Sequence, residues 1–150
     1  MEKKYRFYGW DSPIEINDPD YPDIHDIRDL YDVLSDLWCV DTCAPRMRKD
    51  WTAENRTLGQ CSITAFLVQD ILGGEVYGVD LKDGNYHCYN RVNGYDFDLT
   101  SEQFLPEKLD YTDSVPQFRE THFSREEKRL RYEKLKASLK EYTEKKRPQE

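Results

Sequence analysis

"GQCSITAFLVQDILGG", residues 59–74, is the stretch whose reading decides the fold. Ile63, Phe66, Leu67 and Ile71 fall on one stripe at helical spacing, and Gly73-Gly74 supply the left-handed positions that close a helix. The run predicts a helix over 61–72 with Cys61 in its opening turn. A thiol there faces unpaired backbone N–H groups and the positive end of the helix dipole, both of which favour the thiolate. Three readings of Cys61 are open: a buried small hydrophobe, a metal ligand, or a nucleophile.

A nucleophile needs a base, and His87 is the histidine placed within a strand. "EVYGVD" (75–80), "NYHCYNRV" (85–92) and "YDFDLT" (95–100) read as three strands joined through "LKDG" and through Asn93-Gly94, a strong hairpin signal. A two-residue loop sets Val92 opposite Tyr95, and the ladder continues through Arg91 with Asp96, Tyr89 with Asp98 and His87 with Thr100. Alternation then places His87, Tyr89, Arg91, Asp96, Asp98 and Thr100 on one face. Asp98 lies diagonally from His87 at a Cβ separation of roughly 7–8 Å, which an imidazole and a carboxylate jointly span. Asn90 falls on the opposite, predicted buried face with Cys88, Val92, Phe97 and Leu99. Asp98 therefore ranks above Asn90 as the partner of His87, and Asn90 is kept as a binding candidate.

Outward from this centre, Ile27, Leu30, Tyr31, Leu34 and Trp38 predict an amphipathic helix over 26–38, with Asp23 and Asp26 as candidate caps. "DSPIEINDPDYPD" (11–23) is irregular and follows an aromatic-bearing edge strand near Tyr5 to Trp10. Residues 39–60 show no period and read as one long loop, a class of segment that is usually functional. On that loop Trp51 and Asn55 are expected to wall a substrate cleft, while Gln60 or the Cys61 N–H is the expected oxyanion donor. "TSEQFLPEKL" offers a short helix or turn. Ser124 and Glu127 form a capping-box pattern ahead of Tyr132, Leu135, Leu139 and Tyr142, so a long helix is expected at about 124–145. Its stripe covers the core or, alternatively, docks a second copy of the chain. His25 and His122 stand in polar loops and are expected to be solvated.

The chain has 150 residues, the size of one domain, so 1–150 is read as a single unit around the 51–104 motif region. A net charge of −8 weighs against a nucleic-acid footprint over the whole surface. The charge is uneven: residues 124–150 carry ten Lys or Arg against six Glu, whereas residues 1–36 carry ten acidic against four basic. The start has no apolar leader and no stretch approaches the roughly 20 apolar residues of a membrane span, so a cytoplasmic protein with no membrane partner is expected. Cys39, Cys43, Cys61 and Cys88 are then free thiols, metal ligands or catalytic groups rather than a disulfide framework. A zinc set of Cys39, Cys43, His87 and Cys88 is poorly spaced, because His87 and Cys88 are adjacent on a strand and point to opposite faces. No metal or cofactor is expected.

Cysteine at a helix start, histidine on a strand and aspartate on the next strand is an order that resembles the transglutaminase-like branch of the papain-like cysteine enzymes. The match lies in "GQC", "HCYN" and "DFDLT". More narrowly, "WTAENRTLGQCSITAFLVQDILGGEV" followed by "HCYNRVNGYDFDLTSEQF" resembles the YunG-like family of small bacterial proteins over residues 51–104. Where that family tends to have Trp before the Asn of the histidine strand, this chain has Tyr89, and Cys88 sits beside His87. The resemblance implies an α+β fold in which the cysteine helix packs on an antiparallel sheet, and thiol-mediated acyl transfer or hydrolysis. Cys61 is then the nucleophile, His87 the proton shuttle and Asp98 its orienter, acting on a small-molecule or peptide acyl substrate. The competing expectation is a binding or regulatory module that keeps the fold without turnover.

Overall fold

The apolar periods become helices where caps permit. In a computed structural model, which describes residues 5–146, helix α1 (Ile27–Leu37) opens where the Asp26 carboxylate accepts the Asp29 N–H at 2.9 Å. It ends at Trp38, whose indole N–H donates to the Thr64 hydroxyl at 2.9 Å and so ties α1 to the next helix. Helix α2 (Cys61–Leu72) is buried from Ser62 through Val68, on every side rather than along the one stripe that periodicity suggests. It is central: the sheet lies against it on one side and the C-terminal helix on another. Gly73, at φ +73°, turns the chain out of α2 into the sheet.

The sheet is antiparallel, formed by β1 (Glu75–Asp80), β2 (Tyr86–Val92), β3 (Tyr95–Phe97) and β4 (Val115–Gln117) in the order β3-β2-β1-β4. The hairpin register is the expected one through Val92–Tyr95, Arg91–Asp96 and Asn90–Phe97. It then stops. Asp98 leaves the ladder and its N–H donates to the Tyr8 carbonyl at 2.9 Å. The edge strand expected near Tyr5 to Trp10 is thereby reduced to a single bridge, Tyr8 with Asp98. Both faces of β2 are buried from His87 through Asn90, because the 98–114 segment covers the face that α2 does not.

Strand β4 and helix α3 (Arg119–His122) escape the sequence reading. A three-residue edge strand containing Pro116 and a four-residue helix are too short to show a period. Helix α4 (Glu126–Lys146) begins without the expected capping box, since the Ser124 hydroxyl donates to the Thr121 carbonyl at 2.7 Å instead. Its Tyr132, Leu135 and Leu139 are buried with Leu34 of α1 and Phe66 and Leu67 of α2 in one core. Each such side chain contributes about 1.5–3 kcal/mol by leaving water. These three residues of the stripe are consumed inside the chain.

The 39–60 loop contains one 3-10 turn, Pro45–Asp50, and is held from several directions. The buried Arg131 guanidinium of α4 donates to the carbonyls of Thr42 at 3.0 Å and Gly59 at 3.4 Å. Arg56 donates to the Ser35 carbonyl at 2.7 Å. Gly59 lies at φ +72°, and a Cβ there would fall 2.5 Å from the Cys43 sulfur. Only glycine permits this close crossing just before α2. Among the described residues, no helix is long and apolar enough to cross a membrane.

Candidate functional site

Cys61 is the first residue of α2, and no side chain caps that end of the helix. The amides of its opening turn therefore surround the sulfur with positive dipole. The sulfur lies 3.9 Å from the Tyr86 carbonyl, at the end of β2 that β3 no longer flanks. His87 and Cys88, the two residues that follow Tyr86, set its protonation. Burial would raise the thiol's pKa, but a hydrogen bond from the Cys88 thiol, the largest influence, and the charge and hydrogen bond of the His87 imidazolium bring it well below 9.0. The same contact, together with burial, pushes the Cys88 thiol well above its ordinary value, so Cys88 keeps its proton and donates it.

His87 is 1% exposed and its Nε2 lies 2.6 Å from the Asp98 carboxylate, itself 1% exposed. Nε2 is thus committed to Asp98, which leaves Nδ1 for Cys61. Burial depresses the imidazole's pKa, but the charges of Asp98 and then Cys61 outweigh it and raise the value to about 10. Phe104 closes on the imidazole edge-to-face, with ring centroids 4.7 Å apart. Asp98 accepts three further hydrogen bonds: from the Tyr111 hydroxyl at 2.7 Å, the Thr100 N–H at 3.1 Å and the Thr100 hydroxyl at 3.3 Å. Those four donors satisfy a buried carboxylate that would otherwise be costly. Tyr111 carries no sequence signal of this role, because it arrives from an aperiodic loop.

The sulfur opens on a cleft of about 520 Å³ between the 44–46 turn, the 84–86 strand entry and the α3–α4 corner. Cys61 and Ser62 line its floor, and His122 and Lys128 one wall. His122 is not the solvated loop residue expected. Lys128 Nζ sits 2.9 Å from its Nδ1 and Gln117 Oε1 sits 2.8 Å from its Nε2, so the ring is the neutral Nε2–H tautomer. Burial first, and Lys128 second, push its pKa down to about 4.

The other expected site residues lie elsewhere. Gln60 is fully buried and its amide donates to the Cys39 carbonyl at 3.1 Å, so its side chain braces the loop instead of facing the cleft. Of the two expected donors, only the Cys61 N–H lies at the start of α2 beside the cleft. Asn90 donates to the Ala65 carbonyl at 2.9 Å and fastens β2 to α2 from the buried face, away from the cleft. Asn55 lines a second cleft with Arg6, Tyr31 and Glu102, and the Trp51 indole is held by the Arg56 carbonyl at 3.1 Å. Neither borders the Cys61 cleft, because the loop turns away before it returns through Gly59. Among the described residues no group of three or more His, Cys, Asp or Glu could hold a metal ion. His25 remains exposed, 3.1 Å from Asp29.

The family model described as "YunG protein" matches residues 26–144. A relative named "Uncharacterized protein YunG", from Bacillus subtilis (strain 168), is 40% identical over 73 residues. That stretch is 49% of this chain and 61% of the relative, so the chain spans less than two thirds of that protein's length. No solved structure matches the chain.

Proposed function

From the premise that this chain belongs to the YunG protein family, we propose that it is a thiol-dependent acyl hydrolase or acyltransferase centred on Cys61. One observation carries the reading: a buried His87–Asp98 pair at 2.6 Å bears on a half-exposed thiol at an uncapped helix start, and that thiol opens on a cleft. Structural cysteines are usually sealed and ionise late, whereas this sulfur is held as a thiolate beside an imidazolium.

In the proposed step the Cys61 thiolate attacks the carbonyl carbon of an amide or thioester. A C–S bond forms as the carbonyl π pair moves to oxygen, where the Cys61 N–H stabilises it. Collapse of the tetrahedral intermediate breaks the bond to the leaving amine or thiol, which takes its proton from His87. Water, or a second nucleophile, then attacks the enzyme thioester, gives its proton to His87 and releases Cys61 as thiolate. Asp98 holds the imidazole with Nε2 as donor throughout.

The competing reading, a binding module without turnover, draws on the Gln60 side chain being turned inward, which leaves a backbone N–H as the oxyanion donor. Iodoacetamide labelling of Cys61 separates the two. The proposal expects rapid alkylation at pH 6 that slows by tenfold or more in His87→Ala. A Cys61 that alkylates like a free thiol, with no response to His87→Ala, refutes it.

A further inference from the structure

The molecule carries net charge −8, yet the cleft at Cys61 is cationic. Arg46, Arg125, Lys128 and Arg131 line it, and Glu127 is its single acidic side chain. Glu127 is neutralised by Arg131, whose Nε lies 2.8 Å from its carboxylate. That leaves Arg46, Arg125 and Lys128, and among the described residues none of the three is paired with a carboxylate within the cleft. They come from two separate parts of the fold, the 45–50 turn and the start of α4, and line the same cleft. Arg46 and Arg125 are exposed, whereas Lys128 is half-buried, with Nζ 2.9 Å from the neutral His122. Like charges brought together from different elements repel one another, and an anion drawn into the cleft relieves that repulsion.

We propose that the substrate of this site is anionic: an acyl compound whose carboxylate or phosphate group sits against Arg46, Arg125 and Lys128 while its carbonyl carbon reaches Cys61. The inference rests on the nucleophile reading above and adds the substrate class to it. The two arginines supply planar donor forks suited to such an oxyanion group, and Lys128 supplies a point charge. A cleft of about 520 Å³ has room for an acyl chain between the anion subsite and the thiol.

The test compares an anionic alkylating reagent with a neutral one of equal size. Iodoacetate and iodoacetamide are reacted with the full chain, modification of Cys61 is resolved from that of Cys39 by peptide mass spectrometry, and the rate ratio is referred to that of glutathione. The proposal expects iodoacetate to be favoured about tenfold over the glutathione reference at low salt. Arg46→Gln and Arg125→Gln should each lower that ratio about two- to fourfold, the size of one screened unit charge across a short cleft, and 0.5 M salt should erase most of it. A ratio that both substitutions leave unchanged belongs to the helix start and His87, and overturns the proposal. Protection of Cys61 from iodoacetamide by succinate or by inorganic phosphate, at constant ionic strength, then tells which anion the subsite takes. Protection by neither overturns the proposal as well. Should Cys61 react as an ordinary thiol, the ratio is still readable at pH 9, so the nucleophile and the anion subsite fail separately.

Discussion

Replacing Asp98 by Asn removes one charge from the centre of the buried network and leaves its shape nearly unchanged. In the native chain the charges of Asp98 and Cys61 overcome burial and raise His87 from 6.5 to about 10. That difference corresponds to roughly 5 kcal/mol in favour of the imidazolium. Asp98 is the larger of the two contributors, so Asp98→Asn should lower the His87 midpoint, burial then acting with less opposition. Cys61 then loses part of its counter-charge and must ionise at higher pH. The two midpoints should therefore approach each other, Cys61 moving up and His87 moving down. Histidine NMR titration reads one, and the pH dependence of iodoacetamide alkylation reads the other. Midpoints that stay in place, or that move in the same direction, would refute the reasoning.

The same pair dictates how stability follows pH. The lowered Cys61 pKa contributes stability that is fully present above 9.0 and is lost as pH falls toward its folded value. The raised His87 pKa contributes stability that is fully present below 6.5 and is lost as pH rises toward about 10. Between 6.5 and 9.0 the folded pair and the unfolded pair each hold one proton, so the slopes cancel. The contribution of the pair should rise with pH below 6.5, stay level to 9.0 and fall beyond it, as urea unfolding across that range would report.

Two further substitutions probe the neighbours of the sulfur. Cys88→Ala deletes the thiol hydrogen bond to the Cys61 thiolate, and the Cys61 alkylation midpoint should shift upward by about one pH unit, a hydrogen bond to a charged group being worth about 1.5–3 kcal/mol less a share recovered by solvent. An unmoved midpoint would mean His87 alone holds the thiolate. Gly59→Ala places a Cβ 2.5 Å from the Cys43 sulfur at φ +72°, so it should cost at least about 2 kcal/mol in chemical denaturation and slow Cys61 alkylation by displacing the start of α2. A neutral outcome would mean that the crossing at Gly59 does not position the helix.

Local chemistry makes much of this chain readable without coordinates. The 3.6-residue period and the Gly73-Gly74 stop define α2 and put Cys61 at its start, and Asn93-Gly94 sets the register that brings Asp98 toward His87. These features depend on near neighbours in the chain, which is why the letters alone contain them. Other features arise only when distant segments meet. Tyr111 reaches Asp98 from a loop without period, and His122 joins the cleft wall through Lys128 and Gln117. Gln60, Asn55 and Trp51 turn away from the cleft because Cys39, Arg56 and the crossing at Gly59 direct the loop elsewhere. The gathering of Arg46 with Arg125 and Lys128 around the Cys61 cleft follows from α4 packing beside the 45–50 turn, since Coulomb forces act through space and take no account of order along the chain.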